Sequence, residues 1–205
     1  TCNLSLPVLG LLLACQGTAL GAPVWELSSG GNGHAYEVVL SGRLSWSDAL
    51  GAAAAMEFNG INGHLVTITS EEENEFVTSL IEAAELSAGP LDNVWIGGRQ
   101  TDPSSPPAEG WSWITGESFS YTNWRSGEPN DAAGGEHFLS MVGSFNSTAG
   151  TWNDELSGVG IQGYIVEYDP NNEIIPTPTA ALMAVPLLVC IGCERPRRRN
   201  RGYVE

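Results

Sequence analysis

Lysine is absent from this chain, and cysteine is absent from its middle. All eight basic residues are Arg, and five of them (Arg195, Arg197, Arg198, Arg199 and Arg201) crowd into the last eleven positions. From Pro23 to Glu173, 22 acidic residues face only Arg43, Arg99 and Arg125, a formal balance of −19. Charge of that sign repels nucleic acid and anionic membranes, and it attracts divalent cations. The four cysteines (Cys2, Cys15, Cys190 and Cys193) lie in apolar terminal segments. No disulfide framework reaches the middle of the chain, so its core has to hold by packing. Cys190 and Cys193 form a C-x-x-C inside an apolar run without a second ligand pair, which disfavours zinc or redox chemistry. His34, His64 and His137 show no ligand spacing either. What is present is 42% apolar residues in 205, enough for one packed domain with extensions.

The ends read as addresses. Leu4 to Ala14 is apolar and Ala19-Leu20-Gly21 is small, so residues 1–21 are expected to be a secretory signal whose charged start is missing. Leu12-Leu13-Ala14-Cys15 also resembles a lipobox, with Cys15 as the lipidated residue. A domain is expected over 22–170, then a polar linker over 171–175. Residues 176–205 combine an apolar stretch with an arginine-rich end. The uninterrupted part, Ala180 to Cys193, is shorter than the roughly 18 residues that span a bilayer. A membrane-inserted sorting or anchor segment with its positive end inside is the expectation.

Within the domain, alternation predicts a strand over His34–Leu40. Ser45 or Ser47 is placed to cap an Ala-rich helix from about Asp48 to Phe58. Leu65 to Ile68 reads as a short strand. Ser70 and Glu73 form a capping box, after which Phe76, Val77, Leu80, Ile81 and Ala84 mark one apolar helical face. Short strands are predicted at Val94–Ile96, Trp111–Ile114, Phe138–Val142, around Trp152, and at Tyr164–Tyr168. Residues 115–136 are a long loop. Two helices packed on short antiparallel strands define an α+β domain.

The chemistry concentrates in that loop and just beyond it. Glu128-Pro129-Asn130, Glu136 and Asn153-Asp154 bring three carboxylates and two carboxamides into a stretch of Gly, Ser and aromatics. Calcium takes six to eight oxygen ligands of this kind. A carboxamide can hold a metal with its oxygen and a hydroxyl with its NH2. The pattern reads as a calcium site that could face a carbohydrate. Trp95, Trp111, Trp113 and Trp124 are expected in the core instead of serving as sugar platforms.

From His34 to Tyr168 the chain resembles the C-type lectin domain family. The landmarks fall in order: Ser47-Asp48-Ala49, Gly63 to Ile68, Ser70 to Asn74, Trp95-Ile96-Gly97-Gly98, Gly110 to Trp113, Tyr121 to Trp124, Glu128-Pro129-Asn130, Trp152-Asn153-Asp154 and Tyr164 to Tyr168. The resemblance implies a C-type lectin-like fold with a long calcium-binding loop and a cis peptide bond before Pro129. It implies that Glu128, Asn130, Glu136, Asn153 and Asp154 bind both Ca2+ and sugar. A second, auxiliary metal site would use Asp102, Glu109, Asp131 and Glu136. The Glu-before-Asn order implies mannose-type ligands (mannose, fucose, glucose or N-acetylglucosamine) over galactose. The family's cysteine positions fall at Val166 and within Ala52–Ala55, as in disulfide-free bacterial members. The alternative is a calcium-stabilised protein-interaction or scaffold domain without sugar binding. An enzyme is not expected, since carboxylates that hold calcium are not free to act as acid and base.

The C-terminus resembles PEP-CTERM sorting signals, with Pro176-Thr177-Pro178 leading the apolar stretch and Arg197-Arg198-Arg199 closing it. That likeness implies processing by an exosortase, transient membrane insertion, and delivery of the domain to the cell envelope, surface or exopolysaccharide.

Overall fold

Strand Asn93–Gln100 shows how the layers are built, because its side chains alternate between two cores. Val94 and Ile96 enter one apolar cluster and Trp95 enters the other. The computed structural model describes residues 22–88, 92–132, 134–143 and 148–171. In chain order the elements are β1 (Ala35–Leu44), α1 (Trp46–Ala54), β2 (Glu57–Phe58), β3 (Ile61–Asn62), β4 (His64–Leu65), α2 (Glu71–Ala88), β5 (Asn93–Gln100), β6 (Trp111–Trp113), β7 (Glu136–Val142), β8 (Trp152–Leu156) and β9 (Ile161–Tyr168). Among the described residues, the main sheet runs β1-β9-β5-β7-β8, with β4 added to β9 and β6 to β5. The sheet is mixed, not purely antiparallel as expected from the sequence. β5 runs parallel to β9, pairing Trp95 with Tyr164.

Each helix covers one side. Val77 and Ile81 of α2 join Tyr36, Ile96, Leu139, Met141, Trp152 and Ile165. Trp46, Ala49 and Ala53 of α1 join Leu65, Trp95, Val166 and Tyr168. Ala53 and Val166, at the positions where the family resemblance placed cysteines, are both fully buried in this second cluster. Trp95, Trp111 and Trp113 are buried and Trp124 packs against the core, so all four are core residues as expected. Two glycines let β5 sit this close to its neighbours. A Cβ on Gly97 would stand 2.7 Å from the Leu65 carbonyl oxygen and 2.9 Å from that of Val66, and one on Gly98 would collide with Leu139.

The helices start as their caps dictate. Ser45 accepts from the Asp48 N–H, so α1 begins at Trp46, earlier than expected. It stops at Ala54 because Asn59 and Gly60, both at positive φ, turn the chain into the β2–β3 hairpin. Ser70 Oγ accepts from the Glu73 N–H, as a capping box requires. The Glu73 carboxylate instead reaches the N–H and hydroxyl of Thr69, one residue further back. The strand expected over Leu65–Ile68 is regular only at His64–Leu65. Beyond it, Val66 donates to Ile165 O and Thr67 N–H turns to the Glu167 carboxylate, which ends the ladder. Among the described residues, no helix is long and apolar enough to cross a membrane. The expected signal segment with Cys15 and the sorting segment from Pro176 lie outside the described residues.

Candidate functional site

The long loop is fastened to β8 by its backbone. Trp152 N–H donates to Asn123 O at 2.7 Å, Arg125 N–H donates to Trp152 O at 2.9 Å, and Trp124 bridges to Trp152 in parallel. Trp152 itself is fixed by its indole N–H, which donates to Asn74 Oδ1 of α2 at 2.9 Å. The chain then turns, with Glu128 N–H donating to Arg125 O at 2.9 Å and a cis bond joining Glu128 to Pro129, as the resemblance implied. Residues 128–131 thereby come to lie against Asn153 and Asp154.

Asp154 clamps this loop from below. It is 1% exposed, and its carboxylate accepts from Asn130 N–H at 3.2 and 3.1 Å and from Asp131 N–H at 2.8 Å. Alternation along β8 points Asn153 the other way, where its amide NH2 donates to Glu155 Oε1 at 2.9 Å. Asn153 Oδ1 accepts from Arg125 Nη2 at 3.0 Å. The same Nη2 donates to Glu128 Oε1 at 2.8 Å, and Glu128 Oε2 accepts from the Asn130 amide. Glu128, Asn130, Asn153 and Asp154 are thus one hydrogen-bonded group.

Glu136 opens β7 at the rim of this group, and its carboxylate accepts from Ala132 N–H at 2.8 Å. Its pKa is shifted upward, first by burial and then by the negative charges of Asp154, Glu155 and Asp131. Glu155 is also shifted upward, chiefly by burial, although Asn153 and Asn93 donate to it. Asp131, at φ 47°, accepts from Gly135 N–H at 2.5 Å and Glu136 N–H at 2.9 Å. Those two N–H groups hold its carboxyl below the ordinary range.

Among the described residues, no three Asp, Glu, His or Cys side chains converge closely enough to hold an ion. The donor set nonetheless suits a hard cation. All five side chains offer oxygen, two of them are neutral carboxamides, and Glu136 is under pressure from neighbouring carboxylates that a positive charge would relieve. The auxiliary group is not assembled. Asp102 turns to its own loop, accepting from the N–H and hydroxyl of Ser104 at 2.9 and 2.7 Å. Glu109 is exposed, and neither is hydrogen-bonded to Asp131 or Glu136. His137 is a β7 residue whose Nδ1 lies 2.8 Å from Gln100 Oε1.

Two participants were missed by reading the sequence for oxygen ligands. Arg125 is three residues before Glu128, a spacing that invites an ion pair in a turn. Glu155 is two residues beyond Asn153, hence on the same face of a strand.

This fold and this site define a C-type lectin domain, and the chain belongs to that family: the family described as "Lectin C-type domain" matches residues 52–159. Over 150 residues it is 30% identical to halomucin of Haloquadratum walsbyi, covering 67% of this chain and 1% of that protein. Over 121 residues it is 36% identical to C-type lectin lectoxin-Lio1 of Erythrolamprus poecilogyrus, covering 58% and 64%. It is 37% identical to asialoglycoprotein receptor 1 of Rattus norvegicus over 105 residues, covering 46% and 29%. The chain therefore spans less than two thirds of each of these relatives. Among solved structures, the carbohydrate-recognition domain of cow CD23, determined in the presence of a GlcNAc2Man3 oligosaccharide, matches at 28% identity and a TM-score of 0.51, over 65% of this chain and 86% of that one. Human lithostathine matches at 23% identity and a TM-score of 0.58, over 82% and 98%, which supports the fold.

Proposed function

We propose that the domain binds carbohydrate through calcium and recognises vicinal hydroxyl pairs of the mannose type. The observation that carries this reading is the seating of the Glu128-Pro129-Asn130 loop on Asn153 and Asp154, which puts carboxylates and carboxamides side by side. Homologues in this family generally bind carbohydrate, and the family is generally not enzymatic. The cow CD23 domain, studied with a mannose-containing oligosaccharide, adds weight to the sugar class.

Glu128, Asn130, Glu136, Asn153 and Asp154 would hold the calcium. When bound, calcium supplies the positive charge that makes a sugar hydroxyl a stronger hydrogen-bond donor. Glu128 and Glu136 accept from the two hydroxyls, and the amides of Asn130 and Asn153 donate to them. A hydroxyl that gives one bond and takes another gains from both, because each bond polarises the other. The order of carboxylate and carboxamide along the loop sets which hydroxyl geometry fits. The auxiliary calcium site at Asp102, Glu109, Asp131 and Glu136 would need its loop to move, since Asp102 and Asp131 already accept from their own neighbours.

The domain is proposed to work outside the cytoplasm, at the cell envelope, surface or surrounding polysaccharide. Delivery would use the signal-like start and the exosortase-type, membrane-inserting end. A glycan array probed with calcium and with chelator tests the reading. Calcium-dependent binding to mannose, fucose, glucose or N-acetylglucosamine is expected. Binding to a protein that ignores the chelator would overturn it in favour of a scaffold domain.

A further inference from the structure

Among the described residues the cationic side chains other than histidine are Arg43, Arg99 and Arg125. Arg43 donates to the Gly160 carbonyl and Arg99 is exposed on β5. Arg125 is placed by its backbone, which is bonded to Trp152 on one side and to Glu128 on the other. Its side chain lies beside Asn153. One nitrogen, Nη2, donates to Glu128 Oε1 at 2.8 Å and to Asn153 Oδ1 at 3.0 Å. The Glu128 side chain is only 7% exposed, while that of Arg125 is 35% exposed and has room to swing outward.

We propose that Arg125 is the resident counter-ion of the site, which holds Glu128 and Asn153 in place and has to release them when a divalent cation enters. The proposal rests on the calcium reading above and deepens it. A single N–H2 claims one oxygen from each of two side chains assigned to the ion. A guanidinium and a divalent cation drawn to the same two oxygens repel each other at that range, so the two cations compete. A guanidinium remains charged at every pH the domain meets, so pH does not relieve the competition. Calcium affinity is then a difference: what the ion gains from five side chains, less what the arginine loses. The same competition keeps the loop shaped at low calcium, because the carboxylate most in need of a partner already has one.

The test compares the full wild-type chain with Arg125→Met, which keeps the stem and removes the charge and fork. Calorimetric titration with calcium alone should show the variant binding about twofold to fivefold tighter, the scale of a partly exposed ion pair. Arg125→Lys, which keeps a charge but not the planar fork, should fall between the two. The second readout is loop cleavage in chelator by papain, a protease that uses no metal, which should be faster in Arg125→Met than in wild type and equal once calcium is added. Unchanged or weaker calcium binding by Arg125→Met, against measurable binding by wild type, overturns the proposal. If wild type binds no calcium, the calcium reading itself falls. In that case equal cleavage of the two proteins in chelator removes the holding role as well.

Discussion

Raising the pH from 6 to 9 should loosen the domain, with His34 the main side chain responsible. Its Nδ1 lies 2.6 Å from Glu167 Oε1 and its Nε2 lies 3.0 Å from Asp169 Oδ1. Ionised carboxylates only accept hydrogen bonds, so both ring nitrogens must carry protons, and only the imidazolium does that. Burial pushes the His34 pKa down. Bonding to Glu167 and the charges of Glu167, Asp169 and Glu73 outweigh it, and the net shift is upward from 6.5. A basic group shifted upward stabilises the fold fully below its ordinary value and loses that contribution as pH rises through its folded value. Glu73, shifted upward chiefly by burial and then by Glu167, acts in the same direction in a window that begins at 4.5. The other groups facing His34 and Glu167 are the Tyr36 hydroxyl of β1, which burial holds neutral, and His64 of β4, 3.9 Å from Glu167.

The magnitude follows from the geometry. Neutral His34 can donate to only one of its two carboxylates. The loss is one charge-assisted hydrogen bond, about 2 kcal/mol. For a domain of this size that corresponds to a fall in melting temperature of roughly 4–8 °C. Calorimetric melts at constant ionic strength would measure it. His34→Gln, which carries no charge and does not titrate, should melt lower at pH 6 and stay nearly flat from pH 6 to 9. A wild-type melting temperature that holds or rises over that interval refutes the reasoning. So does a His34→Gln protein with the wild-type slope.

Three further outcomes are expected. Asp154→Ala strips the Asn130 and Asp131 N–H groups of their shared acceptor, and should cost about 2–4 kcal/mol in urea unfolding and speed protease cleavage of the 128–136 loop. Gly97→Ala places a methyl against the carbonyls of Leu65 and Val66, and should cost about 1–3 kcal/mol; a melt unchanged from wild type would mean that β4 and β5 are free to separate. Replacing Glu128 and Asn130 together by Gln and Asp should move array preference from mannose-type sugars toward galactose, and unchanged selectivity would remove the proposed readout.

The order of elements was readable because local signals agreed with the fold. Ser45 and Ser70 announced the two helices, alternation announced β1, and short runs rich in apolar residues announced β5, β7 and β9. Errors arose where a tertiary partner overrode periodicity. The Ala run gave no stop signal for α1, and the Asn59-Gly60 hairpin cue that ends it was overlooked. Thr67 left the expected strand because Glu167, a hundred residues away, accepts its N–H. The parallel contact of Trp95 with Tyr164 depends on how distant strands are stacked, which no local pattern encodes. At the site, residue type and spacing identified the oxygen donors. They could not reveal that Arg125 stands among them, since a search for cation ligands passes over a cation.

Val24 is bridged to Ala35 of β1, which pairs on its other side with Tyr168 of β9, so the described domain begins and ends at the same end of the sheet, about 10 Å apart. A gap of that width is the span of three extended residues. Placed within a surface loop of another protein, the domain would interrupt its host by little more than a turn. The host would then grip the domain at two points on either side of β1, a narrow attachment for so large an insertion.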